Sequence, residues 1–159
     1  MKIYLAARYS RREELCGYRE QLRALGHTVT SRWLNGAHQI SDGGVPIGDN
    51  GEALVEGDAS NDSDDGSQTE RAAALREQFA VEDFSDVFDC ELLIAFTEPP
   101  RSSASRGGRH VELGIALGLM KRVWVVGYRE NLFCWLEDVR FHETADAAIS
   151  ALKRESEPA

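Results

Sequence analysis

The chain has 159 residues, of which 42% are hydrophobic, so it can bury one full core, and a single domain over residues 1–159 is expected. Its 27 acidic and 18 basic residues give a net charge of −9, which argues against a polyanionic nucleic acid as partner. No stretch is apolar for long enough to cross a membrane, and the N-terminus lacks a secretory signal pattern, so a cytoplasmic protein is expected. The three cysteines share no C-x-x-C spacing, and neither a disulfide framework, a metal site nor a cofactor is predicted.

The negative charge is concentrated in one segment. Between Asp42 and Glu70 there are nine acidic residues and no lysine or arginine, which leaves 18 of the 27 acidic residues to balance the 18 basic ones. The segment is rich in Gly, Asp, Ser and Asn, shows no helical or strand period, and lacks the ligand spacing of a calcium-binding loop. We therefore expect a mobile acidic insert over about residues 42–68, with an active-site lid as the alternative.

The residues before the insert predict a strand, a helix and a second strand. An apolar run over residues 2–7 predicts the first strand, and apolar residues at helical spacing from Leu15 to Leu25 predict a helix that Gly26 ends. Ser10 and Glu13 have the spacing of a capping box at the start of that helix. The β-branched stretch HTVTSRW predicts the second strand.

After the insert, helices and strands alternate again. Thr144 is the expected N-cap of the last helix. In chain order, the predicted elements are a helix with an apolar stripe from Ala72 to Val87, the buried strand CELLIAF, the helix VELGIALGLM, the buried strand RVWVVG, the weaker strand VRFHE and the helix TADAAISALKRE.

This alternation predicts a three-layer α/β fold with a parallel sheet of about five strands in the flavodoxin- or Rossmann-like order 2-1-3-4-5. In such sheets a ligand binds beyond the carboxyl ends of the strands, at the point where the strand order reverses. Here that point lies between the first strand and CELLIAF, and it brings together the loops ARYSRR, residues 7–12, and TEPPRSSASRGGRHVE, residues 97–112. A ligand site is therefore expected between these two loops.

Three stretches carry a resemblance to a known family. The first strand and loop KIYLAARYS, an aspartate in the helix before CELLIAF, and a glycine-rich loop ending in HVELGIAL before KRVWVVG are similar to the nucleoside 2-deoxyribosyltransferase superfamily. That superfamily also contains nucleoside 5′-monophosphate N-glycosidases. The resemblance implies cleavage or exchange of an N-glycosidic bond on a nucleoside or its 5′-monophosphate.

The resemblance makes Glu112 the nucleophile that attacks the anomeric carbon. The chemistry agrees, since a carboxylate can stabilise or capture the oxocarbenium-like state of glycosidic cleavage. We expect Glu112 in the first turn of its helix, where the helix dipole favours the anion. Gly107 and Gly108 are expected to let the backbone approach the ligand closely, and Gly114 and Gly118 to let the helix pack tightly on the sheet.

A second carboxylate is needed to protonate or hydrogen-bond the leaving base. The resemblance assigns an aspartate of the helix before the third strand to this place, and the stretch VEDFSDVFD offers three. Its spacing to the strand favours Asp83, with Asp86 as the next candidate. The alternative is an acidic residue on a solvated helix face.

The first loop surrounds a helix start with Ser10, Arg11 and Arg12, an arrangement suited to a phosphate. Arg106 and Arg109 are expected to add to that pocket, although arginines in such positions are as often solvated. Tyr9 is expected either to cover the sugar or the base of the substrate, or else to pack in the core.

Two further residues, His110 and Asn131, each have more than one expected role. His110 stands where relatives usually have glycine, and it either contacts the ligand, holds Glu112 or is a tolerated surface residue. Asn131 resembles the residue that relatives lend across a dimer interface, with a helix cap as the alternative, and a homodimer or higher homo-oligomer is expected.

A non-catalytic nucleotide-binding module and a 5′-monophosphate N-hydrolase stay as alternative functions, because a fold does not determine a function.

Overall fold

The structure is a computed structural model that describes residues 1–36, 39–40, 46–47, 66–100 and 107–156. Its main sheet has five parallel strands in the order β2-β1-β3-β4-β5, which confirms the predicted architecture. The first strand therefore lies between the second and the third, and the strand order reverses there. The strands are β1 (Lys2–Ala6), β2 (Thr28–Val29), β3 (Leu92–Phe96), β4 (Arg122–Val126) and β5 (Val139–His142).

The central strands form the core because they are apolar along nearly their whole length. Every residue of β3 is buried, and in β1 and β4 only the first residue is exposed. Strands that are buried on both faces are typical of a parallel sheet covered by helices on each side. The core therefore lies on both faces of β1, β3 and β4.

In the described part of the chain, four α-helices cover the sheet. The helices α2 and α3 pack against each other and against β1, whereas α4 packs against β4 and β5. Tyr18 of α1 stacks on Phe96 at the end of β3, with 5.4 Å between ring centroids. The helices are α1 (Arg12–Ala24), α2 (Gly66–Asp89), α3 (Gly108–Gly118) and α4 (Ala145–Ser156).

Helix ends follow the sequence signals in two of three cases. Gly26 has a left-handed φ of +82° just after α1, and Thr144 accepts a hydrogen bond from the Ala147 amide at 3.2 Å before α4. The capping box at Ser10 was wrong, because a 3₁₀ turn over Tyr9–Arg11 precedes α1 and the N-cap residue is Arg11, without a side-chain cap.

The second strand is shorter than the β-branched stretch predicted. After Val29 the chain leaves the sheet and forms a 3₁₀ turn over Arg32–Asn35. The turn buries Trp33, whose indole nitrogen donates to the carbonyl oxygen of Leu5 at 2.9 Å. This contact holds the turn against β1.

The expected acidic insert is described only at its edges. Gln39–Ile40 pairs antiparallel with Pro46–Ile47, and α2 begins at Gly66, before the apolar stripe that predicted it. The mobility expected of the insert concerns residues 41–45 and 48–65, which lie outside the described residues. Among the described helices, none has the length and hydrophobicity to cross a bilayer.

Candidate active site

Glu112 and Tyr4 meet below the carboxyl end of β1. The Tyr4 hydroxyl donates to Oε1 of Glu112 at 2.9 Å, across 108 positions of the chain. The other carboxyl oxygen, Oε2, is buried and has no hydrogen-bond partner among the described residues. One carboxyl oxygen is thus held in place, while the second is available to another group.

Tyr4 contacts the candidate nucleophile, although the sequence of the first strand predicts only an apolar run. Its side chain is fully buried, and burial together with the nearby charge of Glu112 raises its pKa well above the usual value. The phenol therefore stays neutral and acts as a donor. The signal in the sequence was a tyrosine within a buried strand, because a buried phenol hydroxyl usually requires a partner.

Asp83 of α2 acts on Glu112 electrostatically. The pKa of Glu112 is raised to about 8, first by burial and then by the negative charge of Asp83. The hydrogen bond from Tyr4 and the positive charge of Arg109 act in the opposite direction. In this carboxyl pair, the negative charge of Asp83 disfavours the ionised form of Glu112. Near neutral pH the carboxyl group of Glu112 therefore favours its protonated form.

The expected effect of the helix dipole on Glu112 was wrong. Helix α3 begins at Gly108, its first turn contains no acidic residue, and Glu112 lies in the second turn. Since the dipole acts mainly within the first turn, burial dominates and favours the protonated form of Glu112. The proton-holding property of the site therefore comes from tertiary packing.

The two candidate aspartates have different surroundings. Asp86 is buried and accepts two hydrogen bonds from Arg32, one from its amide nitrogen and one from Nε, each at 2.8 Å. These contacts hold the 3₁₀ turn after β2 against α2. Asp83 lies one turn earlier on α2, and its charge acts on both Glu112 and Tyr4. Of the two, Asp83 is the one whose charge acts on Glu112.

Three arginines expected near a phosphate have partners within the protein. Arg11 forms two hydrogen bonds to Glu14, at 2.7 and 2.8 Å, and its Nη1 lies 3.4 Å from Oε1 of Glu98. Arg12 donates to the carbonyl oxygen of Leu34 at 2.9 Å. Arg109 is paired with Glu130, and Arg106 lies outside the described residues.

The remaining residues of the first loop lie beside these arginines. Ser10 is exposed within the 3₁₀ turn, and Tyr9 is partly buried, with its ring 6.0 Å from that of Trp33. Arg11 lines a cavity of about 360 Å³ at the carboxyl ends of β3, β4 and β5, together with Phe96, Glu98 and Tyr128. Neither Glu112 nor Asp83 lines this cavity, so it is separate from the carboxyl pair.

The glycine-rich loop ends in two glycines with different surroundings. Gly107 is the N-cap of α3 with a left-handed φ of +82°, a conformation that favours glycine, whereas Gly108 has no such φ. The tight packing expected from Gly114 and Gly118 was wrong. Both are exposed, and a Cβ atom on either one meets no atom within 4 Å.

His110 and Asn131 contact each other at the start of α3. Nδ2 of Asn131 lies 3.3 Å from Nδ1 of His110, and Oδ1 of Asn131 accepts from the Phe133 amide at 2.9 Å. Asn131 is thus the N-cap of the 3₁₀ turn over Leu132–Trp135. No cluster of three or more metal-ligating His, Cys, Asp or Glu side chains occurs in the described part of the chain.

The fold and the site define a doubly wound α/β protein with a pair of partly buried carboxyl groups, Glu112 and Asp83, on two helices next to the strand-order reversal. Among solved structures, the chain is similar to the Clostridium botulinum CMP N-glycosidase BcmB. The TM-score is 0.53 at 16% sequence identity, and the match covers 97% of this chain and 99% of that chain. At this identity the likeness shows a shared fold. No protein-family model matches the sequence, and no curated protein sequence matches it.

Proposed function

We propose that the protein is an enzyme that cleaves the N-glycosidic bond of a nucleoside or nucleoside 5′-monophosphate, with Glu112 as nucleophile. The observation that carries the proposal is the contact of 2.9 Å between the Tyr4 hydroxyl and a Glu112 carboxyl group whose other oxygen is buried without a partner among the described residues. A fold shared with a CMP N-glycosidase supports the same conclusion.

Each residue of the site has a role in this reaction. Tyr4 orients the Glu112 carboxylate, whose free Oε2 attacks the anomeric carbon and forms a glycosyl ester as the bond to the base breaks. Asp83 passes a proton to a ring nitrogen of the leaving base. Water or a second base then attacks the ester, gives a proton back to the carboxyl pair and releases the product.

The proton held by the pair is what this reaction uses. In the free protein the proton resides mainly on Glu112, because burial disfavours its anion. A sugar carbon that gains positive charge stabilises the Glu112 carboxylate, so the proton moves to Asp83 and then to the base. The free protein and the reacting complex thus differ in the site that holds the proton.

The two candidate substrate classes, nucleosides and nucleoside 5′-monophosphates, differ in the presence of a phosphate. A shared fold with a CMP N-glycosidase favours a 5′-monophosphate. The contacts of Arg11 with Glu14 and Glu98, and of Arg109 with Glu130, favour an uncharged nucleoside, because a phosphate would have to replace these carboxylates. Both classes therefore have to be offered to the protein.

The test is an incubation with a panel of nucleosides and 5′-monophosphates, with and without a second free base, followed by chromatography of the released bases. We expect release in the unmodified protein and a loss of at least about a thousand-fold in Glu112→Gln, since a covalent nucleophile is removed. The exposed Glu137→Gln is the matched control and should keep full activity. No release from any substrate, or unchanged release in Glu112→Gln, contradicts the proposal and favours a non-catalytic nucleotide-binding module.

We also propose that the protein forms a homodimer through α2 and α3. Val81, Phe84 and Phe88 follow one face of α2 and are 58%, 50% and 54% exposed, and Val111 of α3 is 63% exposed. Monomeric proteins rarely expose contiguous apolar patches of this kind. Light scattering should report a dimer that Phe84→Asp/Phe88→Asp converts to a monomer, whereas Met120→Asp, outside this face, should not. A monomeric unmodified protein at micromolar concentration contradicts the proposal.

A further inference from the structure

A buried ion pair lies at the start of α3, three residues before Glu112. Nε of Arg109 donates to Oε2 of Glu130 at 3.1 Å, and Nη2 donates to Oε1 of the same carboxylate. The two side chains are only 4% and 10% exposed. Glu130 belongs to the connection between β4 and the 3₁₀ turn over Leu132–Trp135, so the pair joins this connection to α3.

Stability alone gives little reason for such a pair. Removing two charges from water is costly, and apolar side chains of similar volume often give a protein that is as stable or more so. Arg109 is also the position expected to contact a phosphate, yet the carboxylate of Glu130 occupies its guanidinium on two sides. We therefore expect the pair to act on a neighbouring group.

The neighbour of interest is Glu112. Residues three apart on a helix lie on the same side, so Arg109 and Glu112 are adjacent on α3. Glu112 faces the Tyr4 hydroxyl from β1 and Asp83 from α2, and Arg109 is the cation among the described groups that act on its charge. Its effect opposes those of burial and of Asp83.

We propose that Arg109, held in place by Glu130, is a positioning residue that stabilises the carboxylate form of Glu112. Glu130 accepts two hydrogen bonds from the guanidinium and holds the cation beside α3. Arg109 supplies the positive charge that a buried nucleophilic carboxylate needs. The inference rests on the proposed function only in taking Glu112 as the reacting group.

The test measures the ionisation of Glu112 directly. Glutamate labelled with ¹³C at the carboxyl carbon reports its titration by NMR, and Glu112→Gln identifies its signal. In Arg109→Gln/Glu130→Gln, which leaves the net charge unchanged, we expect the pKa of Glu112 to rise by about one unit, at the low end of the effect of a nearby opposite charge. In Arg109→Lys, which keeps the charge, it should stay close to the unmodified value.

The controls separate this inference from a structural role and from the proposed function. Arg122→Gln/Glu155→Gln removes an ion pair whose side chains are 48% and 32% exposed, and it should leave the Glu112 titration unchanged. The apolar variant Arg109→Met/Glu130→Leu should show the same upward shift as the glutamine pair. In active protein, the pH at which kcat/KM rises should move with the NMR titration.

An unchanged Glu112 titration in a folded Arg109→Gln/Glu130→Gln protein overturns the inference. So does a failure of both double variants to fold, since the pair is then a requirement of the fold. If no substrate is cleaved but the titration shifts as expected, the proposed function fails while the electrostatic coupling stands.

Discussion

Glu112→Gln should stabilise the protein at alkaline pH while it abolishes the proposed activity. The glutamine amide has the shape of a protonated glutamic acid, so its oxygen can still accept the Tyr4 hydroxyl that lies 2.9 Å from Oε1. Unlike the carboxyl group, the amide does not ionise. The substitution therefore removes the free-energy cost of a buried negative charge and leaves the packing intact.

The magnitude follows from the pKa of Glu112, which burial raises from 4.5 to about 8. The folded state thus favours the protonated form, and this stabilising effect is fully present below pH 4.5 and is lost as the pH rises to about 8. One pKa unit corresponds to about 1.4 kcal/mol, so the total is on the order of 4–5 kcal/mol. For a protein of this size, that corresponds to a Tm difference of roughly 8–20 °C.

The assay is equilibrium unfolding in urea of the unmodified protein and of Glu112→Gln, each at about pH 5 and about pH 9. We expect a difference of less than about 1 kcal/mol at the lower pH, and nearly the whole 4–5 kcal/mol in favour of Glu112→Gln at the higher pH. The exposed Glu137→Gln serves as the control and should follow the unmodified protein at both values. An equal free energy of unfolding for Glu112→Gln and the unmodified protein at about pH 9 would refute the argument that the fold favours the neutral form of Glu112.

Three further results are expected. Tyr4→Phe removes the hydrogen bond to Oε1 of Glu112, so base release should fall by about ten- to a hundred-fold in a folded protein, and unchanged release would exclude an orienting role. Asp83→Asn should reduce base release and lower the pKa of Glu112 with little change in stability. Asp86→Asn weakens the contacts with Arg32 and should lower the free energy of unfolding by about 1–3 kcal/mol. The reverse pattern in urea unfolding and activity assays would exchange the roles of the two aspartates. Replacing residues 48–65 by a short Gly-Ser linker should leave Tm nearly unchanged, because a segment of that composition buries little apolar surface, and a large fall in Tm would make it part of the core.

The sequence determined the architecture because the signals for it are local. Apolar runs such as LLIAF and RVWVV predict strands buried on both faces, and their alternation with helical stripes limits the sheet to a parallel one. The strand order then placed the loops after β1 and β3 together. No local signal marks Glu112 and Asp83, which only a family resemblance indicates, and their catalytic roles stay predictions.

Only the tertiary structure decided how these residues interact. The contact of Tyr4 with Glu112 joins positions 108 apart, and no periodicity within β1 or α3 indicates it. The partners of Arg11 and Arg109 lie in other elements, so residue type alone suggested a phosphate pocket where the fold supplies carboxylates. Asp83 and Asp86, one turn apart on α2, differ because Arg32 reaches one of them and Glu112 lies close to the other. The charge state of Glu112 differs most from what the sequence predicts. A sequence indicates which groups can ionise, whereas burial by distant residues determines whether they do.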